Sequence, residues 1–162
     1  MMPQKKFETR AEKRKDIIQL EERFLSAVLS NIDTPNLSEI ISRYSGVSWR
    51  QFLSKQHQAL WRALQTLDLA KSIDERVDIL LADKGLTRED LSDNLGLTKQ
   101  LYTEASGITW VERKLTEAEV LKAVGGKAYV RKICPKHQMM DSFMEEFARR
   151  LKFAQNNTGE RE

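Results

Sequence analysis

The sequence predicts an all-α protein, a compact multi-helix globular domain followed by a C-terminal helical hairpin. Three observations carry this. Apolar residues recur at three- and four-residue spacing along most of the chain. Alternation at period two, the mark of a half-buried strand, is nowhere sustained. Glycine and proline are few, seven and three among 162 residues, so long stretches can stay helical.

Taken in order, residues 1–15 are predicted to be a basic flexible arm. Residues 16–30 follow as an amphipathic helix, because Ile17, Ile18, Leu20, Phe24, Leu25, Val28 and Leu29 repeat at helical spacing. Asp33-Thr34-Pro35-Asn36 breaks it, and a second short helix carries Ile40 and Ile41 with Asn36 or Ser38 as cap. After Gly46, Ser48 precedes a third helical segment whose stripe of Trp49, Phe52, Leu53, Leu60, Trp61, Leu64 and Leu67 places large aromatic area in the core. Residues 74–83 form a helix on Val77, Leu80 and Leu81, closed by Gly85 as C-cap. Thr87-Arg-Glu-Asp90 opens the next with a capping box, Leu95-Gly96-Leu97 closes it, and Thr98 caps another. A second capping box is predicted at Thr116-Glu117-Ala118-Glu119, with Leu115 stapled against Val120. Gly125-Gly126 ends or kinks that helix. The last helix places Met140, Phe143, Met144, Phe147 and Leu151 on one face, and residues 156–162 form a tail too polar to pack.

Composition bounds the function. A 40% hydrophobic content suffices for a sizeable core, and no apolar run is long enough to cross a bilayer. A single cysteine, Cys134, excludes an internal disulfide framework and suits the reducing cytoplasm. The net charge of +3 is concentrated at the start: residues 1–16 hold six basic and three acidic groups, which leaves 21 of each in the rest. Residues 68–95 are acidic, eight against four, and residues 110–162 mildly basic, eleven against eight. A surface that coats nucleic acid generally would be more basic than this. The basic arm can touch phosphate, but a solvated, frayed terminus is the favoured reading.

No catalytic constellation emerges, so no enzyme activity and no cofactor or metal are expected. His57 and His137 sit in no metal-ligand spacing, and there is no P-loop, serine elbow or glycine-rich phosphate cradle. Cys134 lies among Lys127, Arg131, Lys132 and Lys136, which would lower its pKa, yet no base is held against it. Residues 87–105 have the layout of a helix-turn-helix, with Leu91, Ser92, Leu95, Gly96, Leu97 and Tyr102 at its structural positions. In that alternative, Thr98, Lys99 and Gln100 begin a recognition helix and Arg88 adds a DNA contact. Glu89, Asp90 and Asp93 oppose it, since they would meet phosphates with the wrong sign. The methionine- and phenylalanine-rich face of the last helix either packs on the rest of the domain or, if it projects, needs a partner.

Three stretches, in the same order, resemble the N-terminal domain of DnaB-type replicative helicases. The first is Leu20-Glu-Glu-Arg-Phe-Leu-Ser-Ala-Val-Leu29, an acidic start followed by an apolar run. The second is Phe52 followed by His57-Gln-Ala-Leu-Trp61-Arg-Ala-Leu64, and it is continued by Ile73-Asp74 with Ser72 where the family often has proline. The third and most specific is Val124-Gly125-Gly126-Lys-Ala-Tyr129-Val130. The likeness spans about residues 17–155 but includes some thirty extra residues between Asp74 and Val124. No ATP-hydrolysing motor, and so no unwinding activity, is expected in this chain.

The resemblance implies a globular domain over 16–112, with an insertion near 75–110, and a helical hairpin over 113–155. It also implies self-association, from a dimer to a hexameric collar, and docking of primase or a helicase loader. DNA contact stays open, and no membrane association is implied. Met140, Phe143, Met144, Phe147 and Leu151 would form the interface. Phe52, His57, Trp61, Val124, Gly125, Gly126 and Tyr129 would be structural.

Overall fold

The computed structural model describes residues 9–34, 37–69, 71–135 and 137–159, and among them the chain is all-α, with ten helices and no strand. Helix α1 spans Arg10–Leu29, so residues 10–15 of the predicted arm are helical. Its start is set by Thr9 and Glu12 in a reciprocal capping box. The Glu12 N–H donates to Thr9 Oγ1 at 3.1 Å, and the Thr9 N–H donates to Glu12 Oε2 at 3.3 Å. Lys5 and Lys6 of the arm, and the break and cap proposed at Pro35 and Asn36, lie outside the described residues. Helix α2 spans Leu37–Arg43, which puts Ser38 inside it rather than at its cap.

The third predicted segment divides in two. A 3-10 turn at Trp49–Gln51 comes first; α3, Lys55–Thr66, then starts afresh with Ser54 accepting from the His57 N–H. Helix α4, Ile73–Lys84, has its own capping box between Ser72 and Glu75, and Gly85 closes it in the left-handed conformation as expected. Helices α5, Arg88–Ser92, and α6, Leu95–Ala105, follow, and α5 has the predicted Thr87–Asp90 box. Leu95-Gly96-Leu97 is not the turn between them but the first turn of α6. Asn94 supplies the cap by accepting from the Leu97 N–H, while the Thr98 hydroxyl donates back to the Leu91 and Asn94 carbonyls.

Helix α7, Gly107–Glu117, ends inside the second predicted capping box instead of starting a helix there. Thr116 lies within it and donates to the Glu112 carbonyl at 2.6 Å, so it caps nothing. Glu119 then turns the chain at φ 59°, a left-handed conformation uncommon for a side chain other than glycine. Two short helices, α8, Val120–Ala123, and α9, Lys127–Ile133, flank Gly125-Gly126, and α10 runs Asp141–Gly159. The tail is therefore helical as far as residue 159, and residues 160–162 lie outside the described set.

One continuous core holds these helices together. Phe24, Trp61 and Tyr44 pack edge to face, with ring centroids 5.1 Å apart for Phe24–Trp61 and 5.9 Å for Phe24–Tyr44. The Trp61 indole N–H donates to the Val47 carbonyl at 2.8 Å, which satisfies its one polar atom inside the core. The core extends through Val77, Leu80 and Leu81 of α4 and Leu101 of α6 to Trp110, Val111 and Leu115 of α7. The long segment between α3 and α8 is thus part of the same body.

Arg76 pins that segment to the first helices. It is buried and donates to Asp33 Oδ1 at 2.8 Å and to the carbonyls of Ile32, Leu69 and Ala105 at 2.8, 2.9 and 3.1 Å. Asp33 also accepts from the Gly107 N–H at 2.9 Å, so one carboxylate fastens α4 and the start of α7.

The C-terminal region departs most from expectation. Residues 115–133, the expected first arm of the hairpin, are not one helix: Glu119 and the glycine pair split them into the end of α7, α8 and α9. Helix α10 instead lies antiparallel along α1. Near its start, the Met139 N–H donates to Ser30 Oγ at 2.9 Å and the Gln138 amide to Asn31 Oδ1 at 2.7 Å. Farther on, Arg150 shares a cleft with Asp16, Ile17 and Arg23. Met144, Ala148, Leu151 and Gln155, at intervals of four, three and four, form the buried face.

Candidate functional site

The residues singled out in the second and third stretches come together in space. Gly125 and Gly126 have φ of 88° and 90°, a turn that only glycine makes without strain. A Cβ on Gly125 would also stand 2.9 Å from Gln56 Nε2. The Gly126 N–H returns to the Leu121 carbonyl at 2.6 Å, and the Gln56 side chain donates to the Val124 carbonyl at 3.2 Å, which docks the turn on α3. Helix α9 then leaves the turn in the direction that carries Tyr129 to His57.

His57 is the centre of a buried polar chain. Its Nδ1 is 2.8 Å from Glu21 Oε1, and its Nε2 is hydrogen-bonded to the Tyr129 hydroxyl. Glu21, buried completely, also accepts from the Leu53 and Ser54 N–H groups at 2.6 and 3.3 Å. The two ring nitrogens thus link the Glu21 carboxyl to the Tyr129 phenol through one imidazole. The chain joins α1, the turn before α3, α3 and α9. Phe52 shields it edge-on, 6.4 Å from the imidazole centroid. Burial, followed by the charges of Glu22 and Glu21, pushes the Tyr129 phenol up to about 12. It stays protonated, and the arrangement holds helices rather than exposing a nucleophile. Glu21 belongs to the first stretch, but sequence reasoning did not single it out. Its signal is position: it lies three and four residues before Phe24 and Leu25, on the buried face.

The five residues expected at an interface divide along α10. Met144 and Leu151 are fully buried against the chain's own core and are core residues, because α10 turns them onto α1. Met140 and Phe143 are 65% and 54% exposed, and Phe147 is half-buried beside them. These three form an apolar flank at the start of α10.

The α5–α6 corner presents less to a DNA than its sequence suggested. Arg88 is taken up by Asp78 Oδ1 at 2.7 Å and the Asp74 carbonyl at 2.8 Å, with the Tyr102 hydroxyl at 3.3 Å. Lys99 and Gln100 are exposed in the first turns of α6 and Thr98 is half-buried, but Glu89, Asp90 and Asp93 are exposed on the adjoining α5.

Cys134 is also altered by its surroundings. Burial, then the charges of Asp33 and Glu112, raise its thiol to about 11, opposite to the lowering the basic patch implied. Arg131 of that patch is committed to Glu112 through two bonds of 2.6 and 3.0 Å, and Lys136 lies outside the described residues. Among the described residues, no group of three or more His, Cys, Asp or Glu side chains is placed to hold a metal ion. Nor is any described helix long and apolar enough to cross a membrane. The chain matches no protein-family model, no curated protein and no solved structure.

Proposed function

We propose that this chain is an interaction module of the DnaB N-terminal type, working in the cytoplasm at the replication machinery. It would self-associate, as a dimer or a larger collar up to a hexamer, and offer a docking surface to primase or a helicase loader. The observation that carries the reading is the flank of Met140, Phe143 and Phe147. Large apolar side chains exposed together on a well-packed helix are stabilised by a partner. The meeting of Phe52, His57, Val124 and Tyr129 around one buried network supports the resemblance on which the reading rests, because residues from separate stretches have one joint structural task.

Size-exclusion chromatography with light scattering over a range of protein concentrations tests this. The wild type is expected to shift towards dimer or higher oligomer, and Phe143→Asp with Phe147→Asp to remain monomeric with an unchanged circular dichroism spectrum. A wild type that stays monomeric at the highest concentration reached would overturn the collar reading.

A further inference from the structure

A second surface, on the segment from α2 to α3, has a charge pattern that the balanced composition conceals. No aspartate or glutamate occurs between Glu39 and Asp68, while Arg43, Arg50, Lys55 and Arg62 do. Arg43 pairs with Glu39 at 3.6 Å. Among the described residues, no carboxylate lies within ion-pair distance of Arg50, Lys55 or Arg62, and all three are exposed.

At the middle of this surface is Trp49, the one half-buried indole, since Trp61 and Trp110 are fully buried. The guanidinium carbons of Arg50 and Arg62 stand 5.3 and 4.6 Å from its ring centroid. Such stacking holds both side chains near one arrangement before any ligand arrives. Less rotamer entropy is then lost when they grip a phosphate. Lys55 and Arg62, seven positions apart, share a face of α3 about 10 Å from one another along its axis. On the other side, Lys152 of α10 reaches the loop before Trp49: its Nζ stands 3.0 Å from where a Cβ on Gly46 would be. Gln155 holds the same loop by donating to the Ser48 carbonyl at 3.2 Å.

We infer that Trp49, Arg50, Lys55, Arg62 and Lys152 form a binding surface for single-stranded nucleic acid. Unpaired cations track a phosphate backbone, and guanidinium and indole planes offer stacking to bases that only an unpaired strand presents. This surface is separate from the α10 flank and does not depend on self-association.

The test is fluorescence anisotropy of a labelled oligothymidine, measured with the full chain at several salt concentrations. Tryptophan emission is followed in parallel, and any change in it reports on Trp49. The expected result is binding that weakens steeply with salt. Arg50→Glu with Arg62→Glu is expected to weaken it about tenfold or more. Arg50→Ala with Arg62→Ala should lower the salt slope by about 1.4, at roughly 0.7 for each phosphate left without its cation. Lys99→Ala with Gln100→Ala should leave binding unchanged. No binding at low salt, unchanged binding in both arginine pairs, or weakened binding in the Lys99/Gln100 variant would each overturn the inference. Equal affinity for a duplex of the same length, or for phosphatidylserine vesicles, would do the same.

Discussion

Glu21 and His57 sit 2.8 Å apart, both withdrawn from solvent, and among the described residues the carboxylate's donors are the imidazole and two backbone N–H groups. Removing the imidazole leaves one buried acceptor short and the Tyr129 hydroxyl without its partner. His57→Ala is therefore expected to cost about 3 kcal/mol, and Tyr129→Phe about 1 kcal/mol, since the latter removes a single hydrogen bond. Urea unfolding at pH 7 reads both. The phenol adds a pH dependence of known sign. Its folded pKa is raised to about 12 from 10, so its contribution is complete below pH 10 and is lost as the pH rises towards 12. The loss of stability over that window should be smaller in Tyr129→Phe.

Arg76→Lys should destabilise nearly as much as Arg76→Ala, by about 3 kcal/mol or more. Only the guanidinium fork reaches Asp33 and three carbonyls at once, and a lysine leaves buried acceptors unsatisfied. Thermal denaturation followed by circular dichroism checks this, and a lysine variant as stable as the wild type would show that the fork is dispensable.

Along α10, exposure separates two kinds of apolar residue. Leu151→Ala is expected to cost about 2 to 5 kcal/mol, because it opens a cavity against α1, whereas Phe143→Ser should change monomer stability by no more than about 0.5 kcal/mol. Denaturant titration at low protein concentration, where association does not contribute, distinguishes them.

Cys134 should be alkylated by iodoacetamide slowly at pH 8 in the folded protein and rapidly in urea. Its thiol is raised to about 11, and the thiolate is the reacting species. Folded-state rates should rise through that pH, and a fast reaction at pH 8 would contradict the burial of this side chain.

Local signals were readable and distant ones were not. Gly85 and the Thr87–Asp90 box could be read because a cap involves residues within one turn. The Thr9–Glu12 box obeys the same rule but was hidden in a run of charges that reads as an unstructured arm. Which helices His57 joins depends on Glu21, 36 positions earlier, and Tyr129, 72 positions later. The buried face of α10 was legible from its spacing only in part: Met144 and Leu151 lie on it, while Met140 and Phe143 do not. That α1, rather than residues 115–133, receives it depends on Glu119 and the glycine pair turning the chain, and no periodicity records that. In the α5–α6 corner, a one-turn shift of the helix start moved Leu95-Gly96-Leu97 from turn to helix, because Asn94 is the better-placed cap.

The antiparallel course of α1 and α10 has a mechanical consequence. The start of one and the finish of the other lie at the same end of the pair, so a load applied between Thr9 and Asn157 acts across the seam rather than along it. The first turns to part would be those nearest that end, followed one after another towards Met139 and Ser30. Under tension this domain should open as a zipper at low force, with the Arg76-pinned helices still folded when α10 has peeled away.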